Sequence, residues 1–213
     1  MRILAISDIH GRINYDKKIV SILSNVDLIV ISGDITNFGG KKEALTVLNT
    51  IREISNNILA IPGNCDQLEV LDVLKSENIN LHGEIKEFNG LIFFGIGGSG
   101  FTPFRTPQEY SDEEIERILS NYKKQDGREI FVSHAPPINT KVDKTLMGMH
   151  VGSEHIREFI EKNQPDLCLC GHIHEARNID RIGKTAIVNP GPFPKFYAMI
   201  EVSDKIQVEL YNA

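Results

Sequence analysis

Apolar residues along this chain fall into two alternating patterns, broken by glycine-rich and polar segments. Short unbroken runs rich in Ile, Leu and Val lie at 2–6, 27–31, 58–61, 129–132 and 167–170, with the length and composition of buried strands. Between them, apolar residues recur at helical spacing over 13–23, 41–54, 67–76, 111–123 and 154–162, and in the second of these Ala44, Leu45, Leu48 and Ile51 share one face. Ser111 before three acidic residues and Ser153 before Glu154 mark two helix starts. A repeated strand, loop, helix order predicts a largely parallel sheet, with polar residues gathered at the C-terminal ends of its strands.

The middle of the chain changes character. Runs at 85–88 and 91–94 flank Asn89-Gly90, a two-residue hairpin signal, so a second, partly antiparallel sheet starts there. Gly95-x-Gly97-x-x-Gly100 matches a dinucleotide fingerprint in form, but the proline-containing segment Phe101-Thr102-Pro103-Phe104-Arg105-Thr106-Pro107 that follows cannot open a helix, and a loop is expected. Residues 138–152 carry no periodic pattern, and a loop of that length in a compact domain is more often functional than idle. Four short strands are expected in the tail, near 178–181, 185–188, 196–202 and 206–211. No linker, repeat or low-complexity stretch divides the 213 residues, so one domain, 1–213, is expected.

Composition narrows the function classes. A formal charge of -6 disfavours a protein whose main task is gripping nucleic acid. No apolar run approaches a membrane span and the N-terminus lacks the pattern of a signal peptide, so a cytoplasmic location is expected. Cys65, Cys168 and Cys170 have no paired zinc spacing and read as reduced thiols, the latter two as small core residues of a central strand.

Five of the predicted strands end in groups able to bind a metal: Asp8 and His10, Asp34, Asn64, His134, and His172 with His174. Each alone has a bland explanation as a turn, cap or packed residue. If the first strand stays extended through Asp8-Ile9-His10, its two polar side chains face one way and converge. Imidazoles, carboxylates and one amide in this number suit two borderline divalent ions, manganese, iron, zinc, cobalt or nickel, and suit calcium poorly.

These residues, as Asp8-x-His10, Gly33-Asp34, Gly63-Asn64, His134 and Gly171-His172-x-His174, resemble the calcineurin-like metallophosphoesterase superfamily, and most closely its small bacterial and archaeal phosphodiesterases. The resemblance covers nearly the whole chain. It implies a four-layer α/β/β/α sandwich with two mixed β-sheets, one ion on Asp8, His10 and His174, a second on Asn64, His134 and His172, and Asp34 bridging both. It also implies hydrolysis of a small phosphate ester, a diester rather than a monoester, with hydroxide as nucleophile. A nuclease of the same superfamily, or a non-catalytic scaffold for protein partners such as the retromer subunit that shares this fold, are the alternatives. A homo-oligomer is compatible with each.

One position departs from the pattern. The superfamily's G-N-H-D reads Gly63-Asn64-Cys65-Asp66 here, and a thiol is a weak donor in the place of an imidazole that meets the phosphate. Cys65 is a candidate catalytic residue or a small residue after a turn. His150, in the long loop, is the candidate replacement donor, with Gly152 and Ser153 at the following helix start as candidate holders of a phosphate oxygen. Arg12 is a candidate phosphate contact or a solvent-facing cation. Asn37 and Asp66 could support the ligands from behind or stabilise their own turns; His82 and His155 match no ligand motif.

Overall fold

The computed structural model describes residues 1–213. Its strands are β1 (Arg2–Ile6), β2 (Leu28–Ser32), β3 (Ile58–Ile61), β4 (Ile85–Phe88), β5 (Leu91–Ile96), β6 (Arg128–Ser133), β7 (Leu167–Leu169), β8 (Asn178–Ile182), β9 (Thr185–Asn189), β10 (Phe196–Val202) and β11 (Ile206–Asn212). Its α-helices are α1 (Lys17–Ser24), α2 (Lys41–Arg52), α3 (Glu69–Ser76), α4 (Asp112–Leu119) and α5 (Glu154–Asn163).

The strands form two mixed sheets, in the orders β11-β10-β1-β2-β3 and β4-β5-β6-β7-β9-β8. β1, β2 and β3 run parallel, as do β5, β6, β7 and β9, while β10, β11, β4 and β8 pair antiparallel at the margins.

Alternation along each strand explains the stacking. In β1, Ile3 and Ala5 point inward and join Leu28, Val30, Phe93, Val132 and Leu169 in an apolar layer shared by both sheets. Leu4 and Ile6 point the other way and pack with Ile19, Leu48 and Val70 of α1, α2 and α3. On the outer face of the second sheet, Phe94, Phe131, Cys168 and Cys170 pack with Ile115 of α4 and with Ile156 and Phe159 of α5. Strands buried on both faces must read as unbroken apolar runs, and five of them do. The result is an α/β/β/α sandwich, as the resemblance implied.

Several element ends differ from the periodicity. The first helix begins at Lys17, four residues later than expected, because the Asp16 side chain accepts the Ile19 N–H at 2.9 Å and caps it there. Ile13 and Tyr15 nonetheless pack against the core from the preceding loop, which is why they read as helical. α4 stops at Leu119 and α2 at Arg52, each short of the predicted end, and α3 starts at Glu69. Ser111 and Glu114 form the full reciprocal capping box. At the β4–β5 turn Asn89 and Gly90 both have positive φ, 48° and 76°, as a two-residue hairpin turn requires. No helix opens after Gly100, so the dinucleotide fingerprint has no structural counterpart.

Candidate metal centre

All seven candidate ligands sit just past the C-terminal ends of parallel strands. Asp8 and His10 follow β1, Asp34 follows β2 and Asn64 follows β3, all from one sheet. His134 follows β6, and His172 and His174 follow β7, from the other. The extended backbone expected through Asp8-Ile9-His10 does not continue past the strand. Asp8 and His10 adopt φ of 54° and 49°, Asp34 49° and His172 68°, the left-handed region that non-glycine residues enter at a cost. Convergence is reached instead by the loops running side by side: the Asp8 N–H donates to the Gly33 carbonyl at 3.1 Å and the His10 N–H to the Asp34 carbonyl at 2.9 Å.

Two glycines make that approach possible. A Cβ on Gly63 would overlap the backbone nitrogen of Asp34, and one on Gly171 would overlap the Ser7 hydroxyl and crowd Asp8.

One ligand atom from each of Asp8, His10, Asp34 and His174 falls within 4.8 Å of the others. His10 Nε2 lies 3.2 Å from His174 Nε2 and 3.7 Å from Asp34 Oδ2, and His174 Nε2 lies 3.5 Å from Asp8 Oδ1. On the far side of Asp34, His134 Nε2 is 3.4 Å from Asp34 Oδ1 and 2.8 Å from Asn64 Oδ1. The His172 ring stands edge-on to His134 with centroids 5.1 Å apart. Asp34 therefore has one oxygen toward each group.

His134 Nδ1 lies 2.7 Å from the Ser32 carbonyl, which only accepts, so Nδ1 carries the proton and Nε2 faces the cluster as a free lone pair when the ring is neutral.

The donor set fits divalent cations on this geometry. Asp8 is wholly buried, yet its Oδ2 has no hydrogen-bond partner, and neither does His10 Nδ1. A buried carboxylate oxygen without a donor is costly unless a cation meets the group. The electrostatics agree. Burial raises the Asp34 carboxyl, but His134 outweighs it and holds Asp34 well below the usual range. Burial lowers His134, yet Asp34 and Asp8 together hold it above the usual imidazole range. Burial pushes His10 down, and burial together with His134 takes His172 down to about 4; a hydrogen bond to Asp8 raises His174. An ionised Asp34 carboxylate beside two imidazoles, His10 and His172, whose burial favours the neutral form, is what a borderline cation takes.

The polar residues behind the ligands have definite partners. Asp66, fully buried, accepts the Gly63 N–H at 2.7 Å, the Ile35 N–H at 3.1 Å, and the N–H and hydroxyl of Thr36 at 2.7 Å each, tying the loops after β2 and β3 together. Asn64 Nδ2 donates to Thr106 Oγ1 at 3.0 Å, which orients Asn64 Oδ1 toward His134. Asn37 only braces its own turn through Glu43.

Cys65 donates its backbone N–H to Asp34 Oδ1 at 2.9 Å, and burial, reinforced by Asp34, pushes its thiol well above the ordinary range. It is a thiol and not a thiolate at neutral pH.

His150 is held by its Nδ1, 2.7 Å from Oδ1 of Asp143. Asp143 is buried and also accepts the N–H groups of Asn139, Thr140 and Gly152. The Gly152 N–H is thus committed to Asp143, the Ser153 N–H to the Pro136 carbonyl, and the Ser153 hydroxyl caps α5 through Ile156. Asp143 escaped the sequence reading because nothing in its neighbours' spacing marks a carboxylate that organises a loop from within.

Two clefts open on the cluster. One of about 360 Å³ reaches His172 and is lined by Phe101, Val151, Gly152 and Ser153. Another, of about 680 Å³, reaches His174 and is lined by Arg12 and Lys195. Arg12 is exposed there and donates to the Phe193 carbonyl at 3.4 Å. His82 accepts the Gly97 N–H at 2.9 Å, and His155 pairs with Asp112 in the lining of the cleft that reaches His172.

Residues 1–176 match the family model for calcineurin-like phosphoesterases. The chain belongs to that family. Among calcineurin-like phosphoesterases and their relatives, it is 42% identical over 198 residues to an uncharacterized protein of Methanocaldococcus jannaschii, spanning 90% of this chain and 88% of that one. It is 24% identical to a probable glycerophosphodiester phosphodiesterase of Arcobacter nitrofigilis, over 82% of this chain and 72% of the other. The solved structure of TT1561 of Thermus thermophilus superposes with a TM-score of 0.72 at 19% identity, covering 99% of this chain and 98% of that one, and so has the same fold. No helix is long and apolar enough to cross a membrane.

Proposed function

We propose that this protein is a metal-dependent phosphodiesterase that hydrolyses small phosphate diesters at the seam between its two sheets. The observation that carries the reading is the Asp8, His10, Asp34 and His174 group, with ligand atoms within 4.8 Å, sharing Asp34 with a second group of Asn64 and His134. Asp8, His10 and His174 would hold one divalent ion, Asn64, His134 and His172 a second, and Asp34 both. When bound, such a pair supplies Lewis acidity that activates water near neutral pH and neutralises charge on the phosphoryl oxygens.

The chain's own residues do the rest. Asp66 and the Asn64–Thr106 contact keep the ligand loops in place without help from substrate, which is the preorganisation that electrostatic stabilisation needs. Arg12, which lines the cleft at His174, is the cation assigned to meet a phosphate oxygen. Cys65 stays neutral and so neither repels the phosphate nor donates well. His150, oriented by Asp143, is the group assigned to protonate a poor leaving oxygen. The Gly152 and Ser153 amides are engaged within their own loop, which leaves Ser153's hydroxyl hydrogen as that segment's contact to substrate. The diester preference takes its support from the relative named as a glycerophosphodiester phosphodiesterase. The net charge of -6 weighs against a nuclease.

The test is a screen of purified protein, loaded in turn with manganese, nickel, zinc and iron, against aryl diesters, cyclic nucleotides and monoesters. Turnover of diesters above monoesters is expected. Protein that binds metal and cleaves none of them would be a scaffold.

A further inference from the structure

Large apolar side chains in contact with water are concentrated in two loops, each of which sends one residue to the cleft that ends on His172. Eleven are exposed in the whole chain, and six of them come from two loops: Phe101 and Phe104 from one, Leu146, Met147, Met149 and Val151 from the other. Phe101, Phe104, Leu146 and Met147 are 76%, 83%, 89% and 84% exposed. Scattered exposed apolar residues need no explanation, but a pair lining the cleft of a candidate site does.

Both loops are braced. Thr102 and Thr106 hydroxyls and the Thr106 N–H all donate to Glu109 Oε1, and Thr106 in turn accepts from the candidate ligand Asn64. The Phe101 loop is therefore tied directly to the metal centre. In the other loop, buried Asp143 accepts the Gly152 N–H, the Val151 N–H donates to the Asp143 carbonyl at 3.2 Å, and Thr145 pairs with Met149 at 2.9 Å. Phe101 and Val151, one from each loop, both line the cleft of about 360 Å³ that ends on His172. Their apolar surfaces are held out to solvent by braced backbones, in a cleft that also reaches His172.

We propose that Phe101 and Val151 form a subsite for an apolar substituent, an alkyl chain of several carbons or an aryl group, on the phosphodiester substrate, and so set its specificity. This rests on the phosphodiesterase reading above. Asp112, Glu154 and His155 share the cleft with this pair, and the cleft at His174 is lined by Arg12 and Lys195 together with Asp16 and Glu175.

Protein loaded with manganese is assayed on methyl, butyl and octyl p-nitrophenyl phosphates, which share one leaving group. The wild-type kcat/KM should rise roughly three- to fourfold for each methylene that the cleft covers. Phe101→Ser and Val151→Thr should cost about tenfold or more on the octyl ester and less than about twofold on the methyl ester, since only apolar contact is removed. A flat profile in the wild type, or one that neither variant alters, overturns the subsite. Calorimetric binding of octylphosphonate against methylphosphonate gives a readout without turnover. If no ester is cleaved but the octyl preference is present and lost in Phe101→Ser, the subsite stands and the esterase reading falls. If the esters are cleaved with a flat profile, the reverse holds. A dimer in the ultracentrifuge that Phe101→Ser dissociates, together with a flat profile, would make this rim a contact between copies and overturn the proposal.

Discussion

His10 and His174, 164 positions apart in the chain, bring their Nε2 atoms to 3.2 Å of each other. Two imidazole lone pairs at that distance repel unless a proton or a cation lies between them. A cation bound only by the folded chain stabilises it by mass action, about 2.7 kcal/mol at a hundredfold excess over Kd. Manganese or zinc should raise the thermal midpoint of the wild type, and His174→Ala should lose most of that rise while its metal-free midpoint changes little. An equal rise in both proteins would remove His174 from the ligand set.

Metal uptake should release protons. Asp34 and Asp8 keep His134 charged above the usual imidazole range in the metal-free protein, and a ligand nitrogen must be neutral. Because the folded value is raised, this proton stabilises the metal-free fold at lower pH, and that contribution fades as pH rises through the folded value. Affinity for metal should therefore fall on acidification. Titration calorimetry at pH 7 in two buffers of different protonation enthalpy should give different apparent heats; identical heats would contradict it.

His82 should make the protein acid-sensitive. Burial, followed by Lys75, lowers it from 6.5 to about 4, and its Nδ1 must stay unprotonated to accept the Gly97 N–H. A depressed imidazole means that the unfolded chain binds more protons between those two values, so stability rises with pH there and is lost as pH falls. The loss attributable to this group is about 2 kcal/mol between pH 7 and pH 5. Urea unfolding at both pH values should show a correspondingly shallower pH dependence in His82→Gln than in the wild type.

Asp66 holds three backbone N–H groups and a hydroxyl from two ligand loops. Asp66→Ala strands those donors in the interior, at a cost of about 3 kcal/mol or more. The variant should unfold at lower urea and bind metal more weakly. Unchanged unfolding would mean that solvent reaches these groups.

His150→Ala should slow hydrolysis of alkyl diesters more than that of aryl diesters, since an aryl oxide leaves without a proton. The reciprocal change, Cys65→His, should raise the alkyl rate. Equal slowing on both substrates would assign His150 to binding, and no slowing on either would remove it from the mechanism.

Much of the fold could be read directly because buried parallel strands have no alternative to unbroken apolar runs; those ending at Ile6, Ile31 and Ile61 lead straight to Asp8, Asp34 and Asn64. Ile13 and Tyr15 misled because contact with the core from a loop leaves the same trace as contact from a helix. Gly152 and Ser153 looked available because a helix start exposes N–H groups; only the fold reveals that Asp143 and Pro136 already take them. Asp66 and Asp143 act through partners that local spacing does not encode.

The division of the ligands between the sheets has a mechanical consequence. Asp8, His10, Asp34 and Asn64 ride on one sheet and His134, His172 and His174 on the other, so ions held by all seven would rivet the rim of the sandwich shut. Spacing of the sheets and retention of the ions would then be one coordinate: whatever wedges the layers apart loosens the cations, and whatever strips the cations frees the layers to breathe.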